Sequence, residues 1–144
     1  MSIKLKLEGF DELLKDIEAA GRSIDSAVES TMRQSAQIMQ SALKAEMQSA
    51  GVDGSLIEAM PQPTFEKEGN AIIARVGYKK GTYDPNNPSD GYKVVFLNYG
   101  TPHRSKHGKV KARGFIAKAK KKANSKIKKQ QKETLEKILS RLKE

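Results

Sequence analysis

The chain has 144 residues, with 27 Lys plus Arg against 17 Asp plus Glu, and neither Cys nor Trp. That length calls for one domain that can bury a core without disulfides or a structural metal; the absence of Cys excludes disulfide scaffolds, thiolate zinc sites and cysteine nucleophiles. The net charge of +10 is unevenly placed, because residues 1–99 hold 11 basic and 14 acidic side chains whereas residues 100–144 hold 16 and 3.

Ile3, Leu5 and Leu7 alternate with Lys4, Lys6 and Glu8, a period of two that predicts a half-buried strand and not a signal peptide. Gly9 breaks it. Phe10, Leu13, Leu14 and Ile17 then follow helical spacing, with Asp11 and Glu12 early, where the helix dipole favours acids. Gly21 closes or bends this short helix. Ser23 is a candidate cap for a second helix, with Ser26 three residues on. Ile24, Ala27, Val28, Thr31, Met32, Ser35, Ala36, Met39, Ala42, Leu43 and Met47 form a stripe of steps of three and four, predicting a helix of roughly 25 residues and about 38 Å. Its small and flexible side chains suit close packing on a sheet or another helix.

Gly51-Val-Asp-Gly54 stops that helix, and residues 55–60 read as one short helical turn before Pro61 and Pro63. Residues 64–68 and 71–78 read as strands joined by Gly69-Asn70, a hairpin signal. Ile72, Ala74, Val76 and Tyr78 give the second strand an apolar face. Residues 79–91 form a long polar loop, of the kind that is functional or mobile. Residues 93–99 hold the contiguous run Val94, Val95, Phe96 and Leu97, compatible with a strand or a short helix, and the layout is read with a third strand here. A basic loop over residues 100–114 leads to a Lys-rich helix from Phe115 to Lys143. Its apolar positions, Ile116, Ala119, Ala123, Ile127, Leu135, Ile138, Leu139 and Leu142, thin out between 117 and 132. This predicts packing at both ends and a solvated or partner-bound middle. The expectation is one α+β domain over residues 1–144: a small, mainly antiparallel sheet packed against a long central helix and a long Lys-rich C-terminal helix. No run of 18 apolar residues provides a membrane span.

Candidate chemistry is sparse. His103 and His107 are four apart, but Pro102 and Gly108 oppose a helix there and the neighbouring cations repel a metal, so two solvated loop histidines is the preferred reading. Gly108-Lys109 lacks the upstream glycine of a phosphate loop, and no Ser sits in a nucleophile elbow. No catalytic, cofactor-binding or metal-binding residue is assigned, no cofactor is expected, and the chain is not read as an enzyme. The basic end has three readings: a solvated charged face, contact with an acidic protein surface, or binding of nucleic acid. Phe115 is its one aromatic, which speaks against base stacking. Lys outnumbers Arg 13 to 3 in residues 100–144, favouring diffuse charge over bidentate recognition.

Four segments gain meaning together. Gly9-Phe10-Asp11-Glu12-Leu13-Leu14 follows the first strand, and Asp53-Gly54-Ser55-Leu56 closes the long helix. Phe96-Leu97-Asn98-Tyr99-Gly100-Thr101 precedes the basic loop. Ala112-Arg113-Gly114-Phe115-Ile116, with Ala119, opens the last helix. In order and spacing over nearly the whole chain they resemble the tail-completion, or head–tail joining, family of long-tailed bacteriophages. Asn98 stands where that family usually has Glu, and Gly114 where Pro is usual.

The resemblance implies a structural virion protein that joins or completes the tail at its head-proximal end, as a ring between tail tube and head connector. The six-fold symmetry of tails implies a hexamer, with a monomer before assembly. The implied partners are further copies of the chain, the tail tube, and the head-connector or tail-terminator proteins; no membrane is involved. The implied location is the virion neck, reached from the host cytoplasm. Candidate assembly contacts are Tyr83, Asp84, Asn86 and Asn87 in one loop and Arg104, Lys106, Lys109, Lys111 and Arg113 in the other. Gly100, Thr101 and Phe115 are read as maintaining the fold. The alternative is a small basic nucleic-acid-binding protein using the C-terminal Lys-rich segment, where Lys120, Lys121, Lys122, Lys128 and Lys129 would contact phosphates. Non-specific DNA contact also fits within the first reading.

Overall fold

The computed structural model describes residues 2–68, 71–79, 89–101 and 111–144. Their order is β1 (Ser2–Lys6), α1 (Asp11–Ala19), α2 (Ile24–Ser49), α3 (Gly54–Glu58), β2 (Thr64–Glu68), β3 (Ala71–Gly77), α4 (Asp90–Tyr99) and α5 (Phe115–Lys143). The fold is α+β: a three-stranded antiparallel sheet in the order β1-β3-β2, with α5 packed along α2.

The alternation in β1 sets the sheet's two faces. Ile3 pairs with Val76 and Leu5 with Ala74, while Phe65 of β2 pairs with Ala74 from the other side. These side chains share the face that meets α2, and Ile3, Ala74 and Val76 are buried in one cluster with Met32, Ala36, Met39 and Leu43. The opposite face carries Lys4, Glu66 and Arg75, the last two as an ion pair at 3.4 Å. The register pairs Glu68 with Ala71, as a two-residue connection requires; Gly69 and Asn70 lie outside the described residues. At the rim, Arg33 stands 5.0 Å above the Phe65 ring and pairs with Glu29 at 3.0 Å.

Helix α2 spans 26 residues, and its predicted stripe is buried except for half-buried Ile24 and Ala42. Ser23 precedes it in extended conformation but makes no side-chain capping bond. Asp53 does cap α3: its Oδ1 accepts from the Ser55 N–H and the Ser55 hydroxyl, both at 2.8 Å. The backbone bond, then the hydroxyl bond, holds its carboxyl below the usual range. Tyr78, just past β3, donates its buried hydroxyl to the Leu56 carbonyl and so ties the sheet to α3. Burial, with the charge of Asp90 adding, pushes this phenol up to about 12.

Two expectations are corrected. Residues 93–99 belong to helix α4, so among the described residues the layout has no third strand after the hairpin. A contiguous apolar run satisfies either period, and the deciding residues lie at its edges: Gly91, Val94 and Asn98 are buried at helical spacing. The middle of α5 is also packed. Ala119, Ala123, Ile127 and Gln131 are all buried, and α5 runs antiparallel to α2, with bonds from Arg113 to Ala50, Gln131 to Ser35 and Thr134 to Gln34. Alanines contribute little to a hydropathy stripe, yet Ala119 and Ala123 are buried where α5 packs along the C-terminal half of α2.

A polar layer interrupts this interface. Ser35 donates to the Thr31 carbonyl at 2.9 Å and also bonds Gln130 at 2.9 Å, while the buried amide of Gln131 donates to the Ser35 oxygen at 3.1 Å. Beyond it lies a second small core of Ile17, Ala27, Leu135 and Ile138, flanked by Phe10, Leu13, Leu14 and Leu142. It fastens α1 to the C-terminal half of α5.

Candidate functional site

The end of α4 and the start of α5 are joined by a compact set of hydrogen bonds. The Arg113 N–H donates to the Leu97 carbonyl at 3.0 Å and the Gly114 N–H to the Asn98 carbonyl at 3.1 Å. The side-chain oxygen of Asn98 accepts from the Ile116 N–H at 3.0 Å. Gly114, the residue before α5, has no side chain to cap it, so a side chain from α4 supplies the acceptor that the first turn needs. Asn98 is only 4% exposed, which makes this bond costly to lose. Phe115 is fully buried beneath the junction and Ile116 is buried beside it. The two chain ends that bracket residues 102–110 are thereby held side by side.

Two glycines make the junction sterically accessible. Gly100 has φ 76° and ψ 177°, a region open in practice only to glycine. Gly114 has φ 60° and ψ 26°. Proline, which fixes φ near −65° and has no N–H, could neither take that conformation nor donate to Asn98. Glycine at position 114 is thus matched to the local backbone.

Around the junction lies a cleft of ≈ 560 Å³ lined by Glu46, Ser49, Leu97, Lys111, Arg113 and Lys118, among others. Arg113 donates to the Ala50 carbonyl at 3.2 Å, at the C-terminal end of α2, where a cation is favoured. Glu46, largely buried, pairs with Lys122. Tyr99, one residue before Gly100, is 64% exposed and is the one large hydrophobic side chain standing in solvent among the described residues.

Of the candidate assembly contacts, Tyr83, Asp84, Asn86, Asn87, Arg104, Lys106 and Lys109 lie outside the described residues, as do His103 and His107. Lys111 and Arg113 are exposed at the cleft. Gly100 follows α4 with a positive φ, Phe115 is buried at the start of α5, and Thr101 is half-buried beside Gly100. Sequence reasoning did not assign Asn98 its capping role. The available signal was an amide at the end of an otherwise apolar run. It also passed over Glu46 and exposed Tyr99, which sit within regular helical patterns and have no distinctive spacing. Among the described residues no helix is long and apolar enough to cross a membrane. Comparison with family models, with curated proteins and with solved structures found no match to this chain.

Proposed function

We propose that this chain is a structural protein of a long-tailed phage or prophage particle, joining or completing the tail at its head-proximal end as a ring between tail tube and head connector. The observation that carries the reading is the junction itself. Two of the four resembling segments, 96–101 and 112–116, are separated in sequence by a basic stretch, yet they close on each other through Leu97, Asn98, Arg113, Gly114 and Ile116. Residues that resemble one family in two places therefore act as one unit here. That unit brackets the segment holding Arg104, Lys106 and Lys109, so a docking loop would be presented from a rigid base.

In this reading the segments at 79–91 and 100–114 meet neighbouring copies or the tail tube, and a hexamer forms on assembly. Particles purified from the replicating element that encodes the chain provide the test. Labelled antibody against the chain is expected at the neck, coincident with a ring of density; label confined to heads, to tail tips or to unassembled material contradicts the proposal.

A further inference from the structure

Residues 118–132 of α5 carry eight lysines and no acid, and the first carboxylate on the helix is Glu133. All eight lysines are exposed. Lys122 alone among them has a carboxylate partner within the described residues, Glu46. Positions 118, 121, 125, 128 and 132 recur at steps of three and four. Lys118, Lys121, Lys128 and Lys132 therefore lie on one line with Ser125, over about 21 Å of helix. Ala119, Ala123, Ile127 and Gln131 are buried on the other side, against α2, so the line faces solvent.

The chemistry of this strip selects among anionic partners. A protein interface needs a desolvated anchor, usually aromatic, Met or Arg, and its core is depleted in Lys. Apart from the lysines, the exposed side chains at this stretch are Ala117, Asn124 and Ser125, and none can serve as that anchor. A single strand needs aromatic platforms for its bases, and among the described residues the exposed aromatic, Tyr99, belongs to α4. The phosphate backbone of a duplex needs only cations at intervals along a rigid rod. Lysine supplies point charge without the bidentate geometry that reads bases. We propose that the strip Lys118–Lys121–Lys128–Lys132 binds the backbone of double-stranded DNA without regard to sequence. The inference is independent of the assembly reading.

Fluorescence anisotropy of the full chain with a labelled duplex of arbitrary sequence, titrated across salt, is the test. Log affinity is expected to fall linearly with log salt. Four phosphate contacts correspond to a loss on the order of 100-fold between about 50 and 200 mM. Replacing Lys118, Lys121, Lys128 and Lys132 by Gln is expected to weaken binding at least roughly tenfold at the low-salt end and to flatten the slope. The same charge removal at exposed Lys4, Lys6, Lys15 and Lys143 is expected to leave binding near the wild-type value. The inference is overturned by no binding at low salt, by equal losses in the two variants, or by tighter binding of polyglutamate or single-stranded DNA than of the duplex.

Discussion

Asn98 shows how much one side chain holds. Its oxygen is the acceptor for the first turn of α5, and its backbone carbonyl accepts from Gly114. Asn98→Ala strands the buried Ile116 N–H, and the expected loss is about 1–3 kcal/mol in chemical denaturation. Asn98→Asp, which retains an acceptor beside a helix N-terminus, is expected to lose less. Tyr78 responds to pH instead. In the fold its phenol stays protonated up to about 12, against 10.0 for an ordinary tyrosine. The stabilisation from keeping it neutral is therefore complete below pH 10 and is lost as pH rises through about 12. Tyr78→Phe is expected to be less stable than wild type at neutral pH, because the Leu56 carbonyl loses its donor, and to show a shallower decline on the alkaline side. Denaturation midpoints at several pH values would check both. Neither role is visible in the sequence, where Asn98 is one polar residue after an apolar run and Tyr78 one more residue on an apolar face. Burial is what gives each its consequence.

At the scale of elements, legibility followed the strength of the periodic signal. The alternation in β1 and the stripe of α2 were readable because apolar residues there keep one period throughout. The stretch over 93–99 was not, since four adjacent apolar residues fit a strand and a helix equally, and only the burial of Gly91 and Asn98 separates them. In α5 the error came from counting hydropathy where size mattered: Ala119 and Ala123 bury little surface but allow α2 to come close. The polar layer shared by Ser35, Gln130 and Gln131 belongs to this scale too, because its hydrogen bonds bridge the two helices. Ser35→Ala alone leaves the buried Gln131 amide without its partner, at an expected cost of about 1–3 kcal/mol. Adding Gln131→Leu is expected to restore stability to within roughly 1 kcal/mol of wild type. A double-mutant cycle would read the coupling; strictly additive losses would mean that the layer is not a unit.

For the whole molecule, the division of charge seen in the sequence becomes a spatial axis. The acidic helix α1, with Asp11, Glu12, Asp16 and Glu18 exposed, packs at the C-terminal half of α5, while the lysines crowd its N-terminal half. One helix of 29 residues, about 43 Å long, thus carries the basic pole, and the other pole is fastened to its far end. Of the candidate site, the junction of 96–101 with 112–116 was readable only as two separate short segments. Their contact depends on the chain returning after the basic stretch, which no local pattern encodes. The central claim is that this unit serves to join a tail to its head. Deleting the gene from the phage or prophage that encodes it, and imaging the particles made, tests that claim most directly. Filled heads and tails that remain separate, restored to joined particles by supplying the chain in trans, are the predicted result. Joined and infectious particles in its absence would contradict the account.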